Sequence, residues 1–252
     1  MEKYIEQHSI SCYRSDSHWV MRPEAFLDMA QQIAVKGAQQ LSFNDEALKA
    51  LGCVWVLARM QVVFEKPVPF DRLITLKTWH KGQCGPYFLR DYSLECDGEE
   101  VVRSTSSWIV MNLESRRISR DEAVMKLLEG PAQSPDHAIE SPCPKVMVPR
   151  DVELKPIGSH VVRYSDIDKN GHANNVKYTV WALDNLPQEL VMNHPVKELV
   201  INFNREARPG EEVILYHAEV DGAHIIEGRA SQTLDDGSTA GHQVFIEKLV
   251  FA

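Results

Sequence analysis

The densest run of groups able to do acid–base chemistry extends from Arg163 to Tyr178. Within it Asp168, Asn170 and His172 place an acid, an amide and an imidazole at alternate positions. That set could activate water for a hydrolysis, although the same residue types also favour turns and helix caps. The run follows a short strand, His160 to Arg163, and leads into a helix predicted over Asn174 to Leu183. The first N–H groups of a helix lack intrahelical partners and carry partial positive charge, so they could hold a carbonyl oxygen that gains negative charge. Further on, Glu206 follows a predicted strand, Leu199 to Phe203, among polar neighbours. Periodicity by itself reads Arg205, Glu206 and Arg208 as a solvated strand end; the functional alternative turns Glu206 toward the helix start to join the imidazole.

Two other chemistries fit less well. Asp166, Asp168, Asn170 and Gly171 match the opening of an EF-hand loop, but Lys177 stands where the bidentate glutamate belongs, and a strand precedes the run. Calcium is therefore set aside. The remaining histidines show no metal spacing such as His-x-x-x-His. No nucleophile elbow Gly-x-Ser-x-Gly occurs, and with neither Gly-x-x-x-x-Gly-Lys nor Gly-x-Gly-x-x-Gly present, nucleotide chemistry has no support.

The elements that must position these groups come in two similar sets. Pro23 suits an early helix position, and Phe26, Met29, Ala30, Ile33 and Gly37 then recur at three- and four-residue spacing as one buried stripe. Strands are predicted around Met60–Phe64, Leu73–Trp79, Phe88–Leu94 and Val101–Asn112, with a hairpin turn at Asp97-Gly98. After the second helix, strands are predicted at Leu199–Phe203, Val213–Glu219, Ile225–Thr233 and Gln243–Phe251. Ser15-Asp16 recurs as Ser165-Asp166, Pro69 as Pro209, and Asp97-Gly98 as Asp236-Gly237, in the same order. The falling offset places the extra residues of the first half near Phe43 to Gly52. One helix followed by an antiparallel meander, twice over, is α+β, with each sheet wrapped around its own long helix. Five of the 13 prolines lie between Gly130 and Pro149, which reads as an extended linker. The expected domains are residues 1–129 and 150–252, joined by 130–149.

Composition narrows the function classes. Among 252 residues, 27 Lys and Arg stand against 36 Asp and Glu, a net charge of −9 that argues against nucleic-acid binding. The longest apolar run, Cys53 to Ala58, is far short of the ~20 residues that span a bilayer. Glu2 and Glu6 interrupt the N-terminus, so no signal peptide is expected. Five cysteines, none two residues apart, argue against a disulfide framework or zinc knuckle and for reduced thiols in the cytoplasm.

The stretch Asp168-x-Asn170-x-His172-x-Asn174-Asn175-Val176-Lys177-Tyr178 resembles the catalytic signature of the acyl-acyl-carrier-protein (acyl-ACP) thioesterases, which end fatty acid synthesis. Trp55 through Arg59 to Val63, Arg103 through Trp108 to Asn112, and Arg116-Arg117-Ile118-Ser119 resemble first-half segments of the same family. The resemblance implies two tandem hotdog domains, catalysis in the second, and release of free fatty acid from acyl-ACP. By position it implies Asp168, Asn170, His172 and Glu206 as catalytic residues, with no metal and no cofactor. Plant members carry a cysteine after the glutamate; here Ala207 stands there, so a thiol nucleophile is not expected. Lack of a plastid-targeting extension points to a bacterial-type cytoplasmic enzyme. Trp55, Arg59, Met29 and Ile33, with Asn174 and Asn175, are candidates for contacting substrate, and Met60 for lining an acyl tunnel. The carrier protein is acidic, so the basic run Arg116, Arg117, Arg120 and Lys126 is the candidate docking patch. Acyl-coenzyme A hydrolysis and a non-catalytic acyl-binding or regulatory role are the alternatives. Monomer and homodimer both stay open, and no membrane partner is expected.

Overall fold

The computed structural model describes residues 3–40, 44–128, 133–233 and 239–252, and the chain divides into two units, Met1–Pro144 and Lys145–Ala252. The first unit runs β1 (Tyr4–Ser9), α1 (Pro23–Gln39), α2 (Asp45–Ala50), β2 (Cys53–Phe64), β3 (Leu73–Cys84), β4 (Tyr87–Cys96), β5 (Glu99–Asn112) and α3 (Glu122–Leu128). Its strands are antiparallel in the order β1-β3-β4-β5-β2. Pro23 opens α1, where its missing N–H costs nothing, and the predicted stripe Phe26, Met29, Ala30, Ile33 and Gly37 is buried. At Asp97-Gly98 both residues have positive φ, 52° and 81°, as a two-residue hairpin requires.

The second unit repeats the plan: β6 (Lys155–Val161), α4 (Asn175–Asn185), α5 (Gln188–Asn193), β7 (Val196–Phe203), β8 (Glu212–Val220), β9 (Ala223–Thr233) and β10 (Thr239–Phe251). Its order, β6-β8-β9-β10-β7, is that of the first unit with each strand replaced by its counterpart. The surplus of the first half begins earlier than Phe43, because α1 has 17 residues and α4 has 11. Asp236-Gly237 lies outside the described residues. No described helix is long and apolar enough to cross a membrane.

Residues 133–149 of the expected linker form neither helix nor strand, and they divide between the units. Residues 133–144 are fastened to β3 and β4. Asp91, fully buried, accepts the Ala138 N–H at 2.8 Å and pairs with Lys81 Nζ at 3.2 Å, while Lys81 also donates to the Ile139 carbonyl. Trp79 Nε1 donates to the Asp136 carbonyl at 2.8 Å, and the Ser134 N–H to the His80 carbonyl at 3.0 Å. In the second unit the Val146 N–H donates to Asn202 Oδ1 at 2.7 Å.

Candidate active site

Two elements of the second unit meet at the site. Between β6 and α4 the chain makes a tight loop in which the Asp168 N–H donates to the His172 carbonyl (2.9 Å) and the Gly171 N–H to the Asp168 carbonyl (3.1 Å). Gly171 has φ +83°, a conformation that glycine adopts at little cost. The Asp168 carboxylate accepts from the Asn170 N–H at 2.7 Å and from Asn170 Nδ2 at 3.1 Å. Asn174 caps α4, its Oδ1 accepting from the Val176 N–H at 2.9 Å. The second element is the end of β7. There the Ala207 carbonyl accepts the Ala173 N–H at 2.9 Å, drawing residues 204–207 alongside the loop.

This pairing brings His172 Nε2 to 2.5 Å from Glu206 Oε2, with the two side chains 35% and 26% exposed. They are close enough to share a proton and open enough to meet a substrate. Tyr178 holds the strand end from below. Its hydroxyl accepts the Ala207 N–H at 3.1 Å and donates to the Arg205 carbonyl at 3.4 Å, bracketing Glu206 on both sides. The ring is buried and stacks on Phe245, centroids 5.0 Å apart, and burial pushes the phenol up to about 12. Thus the hydroxyl stays protonated and can both donate and accept.

Asp166, buried beneath the loop, belongs to a separate support. Its carboxylate accepts from the Arg163 N–H and lies 2.8 Å from His160 Nε2, with Lys177 Nζ at 3.7 Å. Burial pushes the Asp166 carboxyl up, but the Arg163 N–H, His160 and Lys177 outweigh it and hold it below the ordinary value. His160 in turn stacks on Trp181 at 4.5 Å. Asp166 and Asp168 are thus engaged by protein partners, and the described residues contain no cluster of three or more His, Cys, Asp or Glu side chains placed to hold a metal ion.

The first unit contains the same loop without the counterparts of His172 and Glu206. There the Asp16 N–H donates to the Val20 carbonyl (2.9 Å), the Trp19 N–H to the Asp16 carbonyl (3.2 Å), and Asp16 Oδ1 accepts the His18 N–H (2.8 Å). Met21 donates to the Val68 carbonyl at 2.8 Å as Ala173 does to Ala207. Trp19, like Gly171, has positive φ. Asp16 is therefore the counterpart of Asp168, not of Asp166, and the match Ser15-Asp16 to Ser165-Asp166 is two residues out of register. Val20 occupies the place of His172, Pro67 that of Glu206 and Phe26 that of Tyr178. The turn persists although the places of His172 and Glu206 hold an aliphatic side chain and a proline. The Asp168 carboxylate thus makes in the second unit the turn bond that Asp16 makes in the first.

The other predicted residues scatter. Asn175 is the first residue of α4 and half-buried. Trp55 packs edge-on against Phe88 at 5.2 Å and lines a cavity of the first unit. Arg59 lies over Tyr87 and donates to its hydroxyl at 3.0 Å. Met29, Ile33 and Met60 are buried core, and the cavity is lined instead by the last turns of α1, at Ala34, Val35 and Ala38. Arg116, Arg117, Arg120 and Lys126 are all exposed, on the β5–α3 connection and on α3.

The family models for the acyl-ACP thioesterase N-terminal and C-terminal domains match residues 1–126 and 152–247. The chain belongs to the acyl-ACP thioesterase family. Among the thioesterases it resembles is oleoyl-acyl carrier protein thioesterase 1 of Arabidopsis thaliana, 27% identical over 83% of this chain and 62% of that one. The chain spans less than two thirds of the length of the first curated relatives it matches. Its fold is that of an acyl-ACP thioesterase from Bacteroides thetaiotaomicron (TM-score 0.79, 20% identity, 99% of this chain and 98% of that one). It is also that of a 12:0-ACP thioesterase from Umbellularia californica (TM-score 0.84, 18% identity, 99% and 97%). Each unit is accordingly a hotdog, an antiparallel sheet around one long helix. Tyr178 is the site residue to which sequence reasoning gave no role. Its signal, Phe26 in the other half, appears only once the two loops are set in their hydrogen-bonded register.

Proposed function

We propose that this protein hydrolyses the thioester of fatty acyl-acyl carrier protein and releases free fatty acid, with its second unit carrying the chemistry. The observation that carries this reading is the His172–Glu206 pair, 2.5 Å apart in the second unit and replaced by Val20 and Pro67 in the first. The pair takes a proton from water as its oxygen adds to the thioester carbonyl. The tetrahedral intermediate then collapses, the C–S bond breaks, and the proton passes to the departing thiolate. Asn174 occupies the Val176 and Lys177 amides, leaving the Asn175 N–H at the positive end of α4 to receive the oxyanion. Asp168 and Asn170 hold the loop that presents His172. The test is thiol release from a panel of acyl-carrier proteins. Steady turnover is expected, faster than with the same acyl groups on coenzyme A, and no release from any of them would overturn the proposal. A cytoplasmic location is part of this reading; the five cysteines, none in a disulfide, support it.

Tyr178 is assigned as a positioning residue for Glu206. Replacing it by Phe, the residue that the first unit already has at this place, keeps the stacked ring and removes only the clamp. Tyr178→Phe is expected to lower kcat by about 10- to 30-fold, in the range where small misplacements of a reacting group act, with KM within twofold. An unchanged kcat would show that the clamp is not needed.

Carrier docking is assigned to Arg116, Arg117, Arg120 and Lys126, exposed cations on a chain of net charge −9. Reversing Arg116 and Arg117 to Glu is expected to raise KM for carrier-bound substrate about tenfold at low salt, and much less at high salt. The coenzyme A thioester serves as the control, and an equal rise there would remove the assignment.

A further inference from the structure

The loop that presents His172 is closed at its base by the same backbone bond in both units. In the second the Asn174 N–H donates to the Asp166 carbonyl at 2.7 Å, and in the first the Arg22 N–H donates to the Arg14 carbonyl at 2.9 Å. The strands that lead into the two loops agree with this register. His160, six residues before Asp166, lies opposite Val213 of β8, and His8, six residues before Arg14, lies opposite Ile74 of β3. Asp166 and Arg14 are therefore counterparts, as are His160 and His8.

Their side chains do different things. Asp166 is buried, and its carboxylate gathers the Arg163 N–H and His160 Nε2, each at 2.8 Å, with Lys177 Nζ at 3.7 Å. His160 also lies against Trp181 of α4, centroids 4.5 Å apart. In the first unit Arg14 makes an exposed pair with Asp28 at 2.8 Å, and His8 pairs with Glu6 at 3.0 Å. Ala25 and Met29 stand where Lys177 and Trp181 would be. The loop thus folds without a carboxylate beneath it, and burying charge costs free energy that the turn does not require. The second unit is also the one that carries the His172–Glu206 pair.

We propose that Asp166 is a positioning residue for the hydrolysis, its carboxylate, with His160 and Lys177, fixing the first turn of α4 against the loop. Asp166 grips the segment on both sides: Arg163 before the loop, Asn174 and Lys177 after it. Between Asn174 and Lys177 lies the Asn175 N–H, assigned above to the oxyanion. The grip keeps that N–H and the His172 imidazole aimed at one thioester carbonyl, where small misplacements cost much of the rate. This inference rests on the thioesterase reading. The charge of Asp166 acts in the opposite sense, because a carboxylate near the start of α4 disfavours a forming oxyanion. Charge alone therefore predicts faster hydrolysis in Asp166→Asn, and positioning predicts slower.

Asp166→Asn keeps the shape of the side chain and an acceptor for the Arg163 N–H. It is expected to lower kcat for acyl-ACP about 30-fold, with KM within about threefold. His160→Phe keeps a ring against Trp181 and removes the bond to Asp166, and should cost about tenfold. The double variant should be no slower than Asp166→Asn by more than about twofold, because the two side chains act as a unit. Two inhibitors separate positioning from a general loss of structure, both built on pantetheine with the alkyl chain of the best substrate. One is a thioether, which has no carbonyl; the other is a trifluoromethyl ketone, whose hydrate resembles the tetrahedral intermediate. Asp166→Asn should weaken the ketone about as much as kcat/KM falls and leave the thioether within about twofold. An unchanged or raised kcat in Asp166→Asn would overturn the proposal, as would equal weakening of the two inhibitors. A wild type that releases no thiol from any carrier removes the thioesterase reading and this proposal with it. An active wild type beside an unimpaired Asp166→Asn removes the positioning role alone.

Discussion

Glu206→Gln and His172→Ala should each lower kcat for acyl-ACP hydrolysis by about 10³-fold, with KM changed by less than about threefold. Both groups sit at the end of a backbone-held scaffold. The loop is closed by bonds from Asp168, Gly171 and Ala173, and the strand end by the Tyr178 hydroxyl, none of which uses either side chain. Their removal therefore takes away the proton acceptor and leaves the frame. Both side chains are about one quarter to one third exposed, so a change in Tm beyond a few degrees is not expected. The double variant should be scarcely slower than either single one, because the two act as a unit. Additive losses, with kcat falling by the product of the two factors, would show that they act separately. A single turnover in isotopically labelled water checks the order of events. Label in the fatty acid alone is expected, whereas label in the Glu206 carboxylate would mean that Glu206 attacks the thioester directly.

Gly228→Ala should lower stability by about 2–3 kcal/mol, a fall in Tm of about 5–10 °C, and reduce activity in the protein that remains folded. Gly228 lies in β9 opposite Phe245 of β10. A Cβ there would stand 2.2 Å from Phe245 Cε1 and 2.6 Å from Cδ1, well inside contact distance. The Phe245 ring is fully buried and stacks on the Tyr178 ring at an interplanar angle of 6°. Displacing it pushes against the phenol whose hydroxyl brackets Glu206. Thermal unfolding checks the first effect and kcat at 25 °C the second. Combining Gly228→Ala with Phe245→Leu, which removes the clashing ring atoms, should be less destabilising than the sum of the two single changes. An unshifted Tm in Gly228→Ala would mean that the sheet yields at no cost, and the link from β9 to the site would fail.

The sequence by itself determined the elements and the reactive residue types. Helical spacing of Phe26, Met29 and Ile33 reports a buried face, because 3.6 residues per turn put them on one side. Alternation at Met60, Val62 and Phe64 in β2, continued at Phe88, Arg90, Tyr92 and Leu94 in β4, reports strands for the corresponding reason. The order helix, then meander, appears twice in the chain, and Asp168, Asn170 and His172 are recognisable as a set because they lie within five residues of one another. Tertiary structure decided what those residues do. Glu206 is 34 positions from His172, and the Ala173–Ala207 backbone bond, with the Tyr178 hydroxyl, brings them together. Asp168 reads as an acid within a polar run, and only the structure shows that it also makes the turn that Asp16 makes beside Val20. The register of the two halves is set by backbone hydrogen bonds rather than by repeated dipeptides, which is why Ser15-Asp16 misleads. Periodicity likewise reports that Met29 and Ile33 are buried, but not whether they face other side chains or an empty cleft. That depends on where α1 runs out of large residues, at Ala34, Gly37 and Ala38, over strands that are distant in the chain. A sequence pattern states which face of an element leaves water, and only the packed chain supplies what that face meets.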